Sequence, residues 1–189
     1  MSYVPIEIDF EGKNCLVVGG GEIAYKKMCT FYESGATISV IAPEISEKIS
    51  RNDRIIKEYR KWKPDDVETF FFVIAATSSE QVNAQIESEC KKRNILCLNV
   101  SKGFHEISLP AIHKQGDIVV SVSTGGKSPR VSQYIREKIS EFVTEDLAEL
   151  NDKMGELRSQ IQKDESLTLE EKRELYDQFF ESELRKIHS

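Results

Sequence analysis

Three stretches of the chain hold residue types that could do chemistry. In "VVGGGEIA", Gly19, Gly21 and Ala24 fit G-x-G-x-x-[GA] between a predicted strand and a predicted helix. Gly19 permits the tight turn, Gly21 lets the backbone approach a pyrophosphate, and Ala24 lets the helix pack close on the strand. The helix N-terminus adds partial positive charge, so the turn suits a dinucleotide; a merely structural turn is the alternative. In "STGGKSPR", Ser123 and Thr124 offer hydroxyls, Gly125 and Gly126 expose backbone N–H groups, and Lys127 and Arg130 add charge. That set suits the carboxylates of an acidic ligand. A turn closed by Ser128 as N-cap, with Pro129 at the first helical position, accounts for the same residues structurally. A P-loop fails on spacing, since it needs glycine where Ser121 stands. In "NVSKGFHEISLP", Lys102, His105 and Glu106 surround one glycine after a buried strand.

These loops need elements to place them. "NCLVVGGG", "TISVIAP", "FFFVIAATSS" and "ILCLNV" read as buried strands, and Arg54–Tyr59 as a shorter one. "IEIDF" (Ile6–Phe10) alternates like a half-exposed edge strand. Helical patterns cover Glu22–Glu33 and Glu80–Arg93. Strands alternating with helices imply a mostly parallel sheet with helices on its faces, a Rossmann-type α/β domain. The loop "ATSS", with Thr77, would face the cofactor across the point where the strand order reverses. The second strand ends at Pro43, with Glu44 just beyond, so Glu44 or backbone groups would hold the ribose. No arginine stands in this turn to take a 2′-phosphate, which favours NAD over NADP.

After about residue 112 the pattern changes. Asp117–Thr124 alternates as a strand, a helix is expected from near Ser128 to about Leu150, and the rest is charged and helical. There Thr168-x-x-Glu171 forms a capping box, and Leu175, Phe179 and Leu184 make an apolar stripe.

Composition sets outer bounds. With 39% hydrophobic and 31% charged residues, the 189-residue chain is that of a soluble globular protein. Its longest apolar run, Phe70–Ala76, is too short to span a membrane. The N-terminus shows no secretory leader, so a cytoplasmic location is expected. A net charge of −6 argues against nucleic acid as principal partner. Cys15, Cys29, Cys90 and Cys97 form no C-x-x-C pair and read as buried or half-buried thiols in a reducing compartment. His105, His113 and His188 show no metal-ligand spacing, so no metal site is expected.

"VVGGGEIAYKK", "VIAPEIS", "VIAATSSEQVN", "NV", "LPAIHKQG" and "STGGKSP" occur in the order and spacing of the siroheme-pathway precorrin-2 dehydrogenases, which the chain resembles over about its first 145 residues. The resemblance implies NAD-dependent oxidation of precorrin-2 to sirohydrochlorin by a homodimer. It implies an NAD-binding Rossmann domain (1–112), a small dimerisation region (113–147) and a C-terminal helical domain (148–189). Carried over, its cofactor contacts fall on Glu22 and Ile23 in the glycine turn and on Pro43 and Glu44 after the second strand; Gly19, Gly21, Thr77 and Asn99 join them from the motif and the strand ends. The family's hydroxyl next to the paired glycines corresponds to Thr124. The many carboxylates of a precorrin, an acidic tetrapyrrole, call for the local positive charge of Lys127, Arg130 and, more loosely, Lys102, beside Ser123 and Gly125 of the same glycine loop. Relatives place an aspartate, cast as the acid/base group, where Lys102 stands here. Glu106, or failing it His105, is the substitute expected to return a side chain to that space. Two other classes stay open: a sirohydrochlorin chelatase for iron or cobalt, and a non-catalytic NAD-sensing protein.

Overall fold

The computed structural model describes residues 3–101 and 106–187. The chain divides into two compact units between Ser108 and Leu109. In the first, β1 (Asn14–Val18), β2 (Thr37–Ile41), β3 (Ile56–Glu58), β4 (Phe72–Ala75) and β5 (Leu96–Asn99) form one sheet in the order β3-β2-β1-β4-β5. Every pairing in it is parallel. A parallel sheet is covered on both faces, which is why its strands read as unbroken apolar runs. Leu16, Val17, Val40, Val73 and Ile74 are fully buried. The connecting helices are α1 (Glu22–Tyr32), the single turn α2 (Glu47–Ser50) and α3 (Glu80–Lys92). The chain winds outward from β1 to β3, then returns to β4 on the other side of β1. That reversal opens a crevice at the carboxyl ends of β1 and β4, where ligands of such sheets bind.

One expected strand is absent. Ile6–Phe10 is irregular, because Ile6 is 74% exposed and the alternation has no buried side to serve. Phe10 is anchored, edge-on to Phe31 and Phe72 at 4.9 and 5.4 Å.

A 3-10 turn at Pro64–Val67 is tied to the end of β3 by Arg60, which grips Asp66 with two bonds of 2.7 and 2.8 Å. Asp66 also accepts from the Lys63 N–H at 2.7 Å. Burial pushes the Asp66 carboxyl up, but Arg60 and the Lys63 N–H outweigh it and hold it below its ordinary value. The folded state therefore favours the ionised form. This contribution is complete above the unfolded value near pH 4 and is lost as pH falls through the folded one. Asp66→Asn is expected to cost about 2 kcal/mol at neutral pH and far less under acid. Denaturant midpoints of both proteins across that range check it.

The second unit begins with an antiparallel hairpin, β6 (Ala111–Gln115) and β7 (Ile118–Val122), turning at Gly116 with φ of 56°. The pattern foresaw β7 and missed β6, whose "AIHKQ" is poor in β-formers. Next come α4 (Pro129–Phe142), α5 (Glu145–Lys163) and α6 (Leu169–Ile187). The single helix expected to Leu150 is two, broken at Val143 and Thr144. Val143 is buried and its carbonyl lies 3.2 Å from His113 Nε2. Thr144, followed by Glu145 and Asp146, starts a new helix with acidic groups at its positive end. α5 continues across residues 147 and 148. The Thr168–Glu171 capping box closes as expected, through bonds of 2.8 and 3.3 Å. Lys153 on α5 binds the nearly buried Glu183 on α6 at 3.0 Å. Phe179 and Leu184 are half-buried, whereas Leu175 stays 43% exposed. Among the described residues no helix is long and apolar enough to cross a membrane.

Candidate functional site

The glycine turn joins β1 to α1 at the crevice. Gly19 has φ of 128°, and a Cβ there would lie 2.2 Å from the Ala76 carbonyl oxygen at the end of β4. A Cβ on Gly20 would lie 2.1 Å from the Glu44 carbonyl oxygen beyond β2. Both glycines are demanded by the chain's own packing. Gly21 is different: its φ of −87° suits any residue, and a Cβ would meet nothing within 4 Å. It is also the N-cap of α1, with no side chain capping the first turn. Open space over uncapped, forward-pointing N–H groups is what a bound pyrophosphate requires.

Pro43 and Glu44 stand exposed beyond β2. The Ser46 N–H donates to the Gly20 carbonyl at 2.8 Å, while the buried Ser46 hydroxyl has no hydrogen-bond partner among the described residues. Glu22 opens α1 and pairs with Lys48 at 3.0 Å and Lys26 at 3.7 Å. The Lys48 hydrogen bond holds its carboxyl below the ordinary value. Ile23 beside it is 60% exposed. Free space at Gly21, an unsatisfied hydroxyl and an exposed carboxylate beyond β2 together fit a dinucleotide.

Across the reversal, Asn83 organises the tips of β4 and β5. It is 1% exposed, and its Oδ1 accepts from the Thr77 N–H at 2.9 Å and lies 2.7 Å from the Thr77 hydroxyl. Its Nδ2 donates to the Thr77 carbonyl at 3.1 Å and to Ser101 Oγ at 3.0 Å. Asn99 donates to Glu87 at 2.7 Å and accepts from the Ser101 N–H at 2.9 Å, so its amide positions Ser101. Gly20 and Asn83 are the residues that motif reasoning passed over. The signal for Asn83 was a polar side chain on the buried stripe Asn83–Ile86–Cys90 of α3.

Glu106 is placed away from these tips. The contacts Asn83–Ser101, Glu87–Asn99 and Cys90–Ile95 show α3 descending antiparallel to β5. Lys91 therefore sits beside the amino end of β5, and Glu106 pairs with it there at 2.9 Å, both side chains exposed. The Glu106 carboxylate, expected near the strand tips, is paired in the structure with Lys91 on the flank of α3. Lys102 and His105 lie outside the described residues, as does His188.

Ser123, Thr124, Gly125, Lys127 and Arg130 belong to the second unit. Ser128 caps α4 through the Val131 N–H at 3.3 Å, with Pro129 following. Thr124 Oγ1 lies 3.0 Å from the Ser128 carbonyl oxygen and accepts from its N–H at 3.3 Å. Ser123 Oγ accepts from the Gly125 N–H at 3.2 Å. Gly125 and Gly126 are left-handed, with φ of 61° and 76°, and a Cβ on either would meet nothing within 4 Å. Lys127 and Arg130 are exposed. The loop is both a built cap and a turn with two open cations. Burial pushes the Cys15 thiol up to about 11, so it stays protonated.

A family model described as putative NAD(P)-binding matches residues 6–106, and one described as sirohaem biosynthesis protein central matches residues 115–141. The siroheme synthase of Photorhabdus laumondii is 30% identical over 184 residues, 95% of this chain and 39% of that protein. Siroheme synthase 1 of Serratia proteamaculans is 32% identical over 166 residues, 85% of this chain and 35% of that protein. The chain thus spans less than half the length of these relatives. A solved structure of SirC, precorrin-2 dehydrogenase, superposes with a TM-score of 0.79 at 26% identity, covering 98% of this chain and 99% of that one. With the glycine turn, the strand order and both matched segments in agreement, the chain belongs to the NAD(P)-binding family of siroheme biosynthesis proteins that includes siroheme synthase and precorrin-2 dehydrogenase.

Proposed function

We propose that this protein oxidises precorrin-2 to sirohydrochlorin with NAD as acceptor. The observation that supports it most is Gly21, a glycine that its own chain does not need, set at the mouth of an uncapped helix. The turn Gly19–Gly21 and the first N–H groups of α1 hold the pyrophosphate, and Glu44 takes the ribose hydroxyls. Ile23 covers the cofactor with an apolar side chain. Thr77, fixed by Asn83, and the Asn99–Ser101 segment bound the nicotinamide end. When bound, the nicotinamide supplies a hydride acceptor. Ser123, Thr124, Gly125, Lys127 and Arg130 receive substrate carboxylates, with Lys102 as a further cation. Catalysis here is chiefly positioning of the ring plane. The conjugation gained by the product makes the departing proton acidic, so a strong base is dispensable. Formation of sirohydrochlorin that depends on added NAD, under anaerobic conditions, tests the reading.

Glu106→Gln is expected to leave turnover within about twofold of the parent, because its carboxylate is exposed and held by Lys91. A loss of tenfold or more in kcat would restore Glu106 as proton acceptor.

The active form is a homodimer in the cytoplasm, where its free thiols stay reduced. We assign dimerisation to the β6–β7 hairpin and α4, with the helices that follow as the C-terminal domain. Val131, Tyr134, Ile135 and Phe142 of α4 are 48%, 58%, 38% and 69% exposed, an apolar stripe that a monomer would leave in water. Ile135→Glu is expected to shift the dimer to monomer by sedimentation velocity.

A further inference from the structure

The family description leaves the choice between NAD and NADP open. We propose that Glu22 is the residue that makes this choice, by withholding Lys48 from the 2′-phosphate of NADP. The inference rests on the dinucleotide reading of the glycine turn and adds to it a determinant outside the glycine motif.

The connection from β2 through α2 is the side on which a 2′-phosphate would arrive. Its position is fixed: Gly20 packs against the Glu44 carbonyl, and the Ser46 N–H donates to the Gly20 carbonyl. Between Ala42 and Ser50 the sequence has one cation, Lys48. That ammonium is occupied. It donates to both Glu22 oxygens at 3.0 Å and lies 5.6 Å from the centre of the Tyr25 ring. Lys26 pairs with the same carboxylate at 3.7 Å. A phosphate dianion approaching here meets Glu22 and Glu44, and the two nearby lysines, Lys48 and Lys26, already share the Glu22 carboxylate. An uncharged ribose diol meets no such repulsion and can donate to a carboxylate. Discrimination thus comes from a placed repulsive charge as well as from a missing attractive one.

The effect is bounded by exposure. Lys48 and Glu22 side chains are 58% and 49% exposed, so solvent screens the pair and a shift of about tenfold is expected. The test is titration calorimetry of NAD and NADP on the full chain, read as the ratio of their Kd values. Glu22→Gln should lower the NADP-to-NAD ratio of Kd about tenfold. Adding Lys48→Ala to that variant should remove roughly half or more of the gain on a logarithmic scale, because the freed ammonium is then gone while the repulsive carboxylate stays removed. An unchanged ratio in Glu22→Gln, or a gain that Lys48→Ala leaves undiminished, overturns the inference while leaving the dinucleotide site in place. If the parent binds neither dinucleotide, both the inference and the reading beneath it fall.

Discussion

Gly21→Ala is expected to raise the Kd for NAD at least tenfold while costing the fold no more than about 1 kcal/mol. The small cost is that of replacing glycine by alanine at a helix N-cap. No steric cost accompanies it, since the new methyl meets no atom of the chain within 4 Å and φ is ordinary. The loss of affinity arises because the methyl enters the space where the pyrophosphate must approach the backbone. Gly19→Ala and Gly20→Ala should behave oppositely. Each would drive a methyl to about 2 Å from a carbonyl oxygen of a neighbouring strand tip. At Gly19 the strain of φ near 128° adds to this. Losses of roughly 3–5 kcal/mol follow, enough to unfold much of the protein. Three adjacent glycines therefore separate into two that build the turn and one that serves the ligand. Thermal denaturation beside NAD titration distinguishes them, and a Gly21→Ala protein that binds NAD normally would remove the site from the turn.

The second large effect is expected at Asn83. Asn83→Ala removes the acceptor of the Thr77 N–H, the donor to the Thr77 carbonyl and the bond to Ser101, all in a part-buried setting. Leaving such groups unpaired costs about 3 kcal/mol, which lowers Tm by roughly 10–20 °C for a unit of this size. The loops after β4 and β5 then lose their mutual registration, so turnover should fall further than NAD affinity, because the nicotinamide end is the part disturbed. Asn83→Asp keeps the acceptor side toward Thr77 and loses the donors, so the two Nδ2 bonds, to the Thr77 carbonyl and to Ser101, can be weighed apart from the acceptor. A Tm within about 2 °C of the parent in Asn83→Ala would show that the network carries no load.

The features that sequence made legible are those encoded locally. An apolar run ending in G-x-G-x-x-A and followed by a helical pattern forces strand, turn and helix, and three more such runs fix a parallel sheet. Gly20 was hidden because the motif treats it as free, although contact with the β2 tip demands glycine there. Asn83 was hidden because a polar residue in an amphipathic helix reads as surface until the strand beside it is placed. Ile6–Phe10 alternates convincingly, but alternation makes a strand only where a sheet edge and a buried side exist to receive it. Glu106 marks the other limit. Its distance along the chain from Asn99 was known, whereas its pairing with Lys91 on α3 is a contact that spacing does not encode. The break after α4 was readable in Thr144-Glu145-Asp146, a helix start that the apolar periodicity around it masked.

The central claim is that the crevice binds NAD as the oxidant of a tetrapyrrole substrate. The most direct test follows NADH and sirohydrochlorin together in an anaerobic, metal-free reaction of the full chain with precorrin-2 and NAD. One NADH per sirohydrochlorin is expected from the parent protein, with both products forming at least about tenfold more slowly from Gly21→Ala at the same sub-saturating NAD concentration. Sirohydrochlorin formed without NADH, or no oxidation by a protein that binds NAD, would contradict the account.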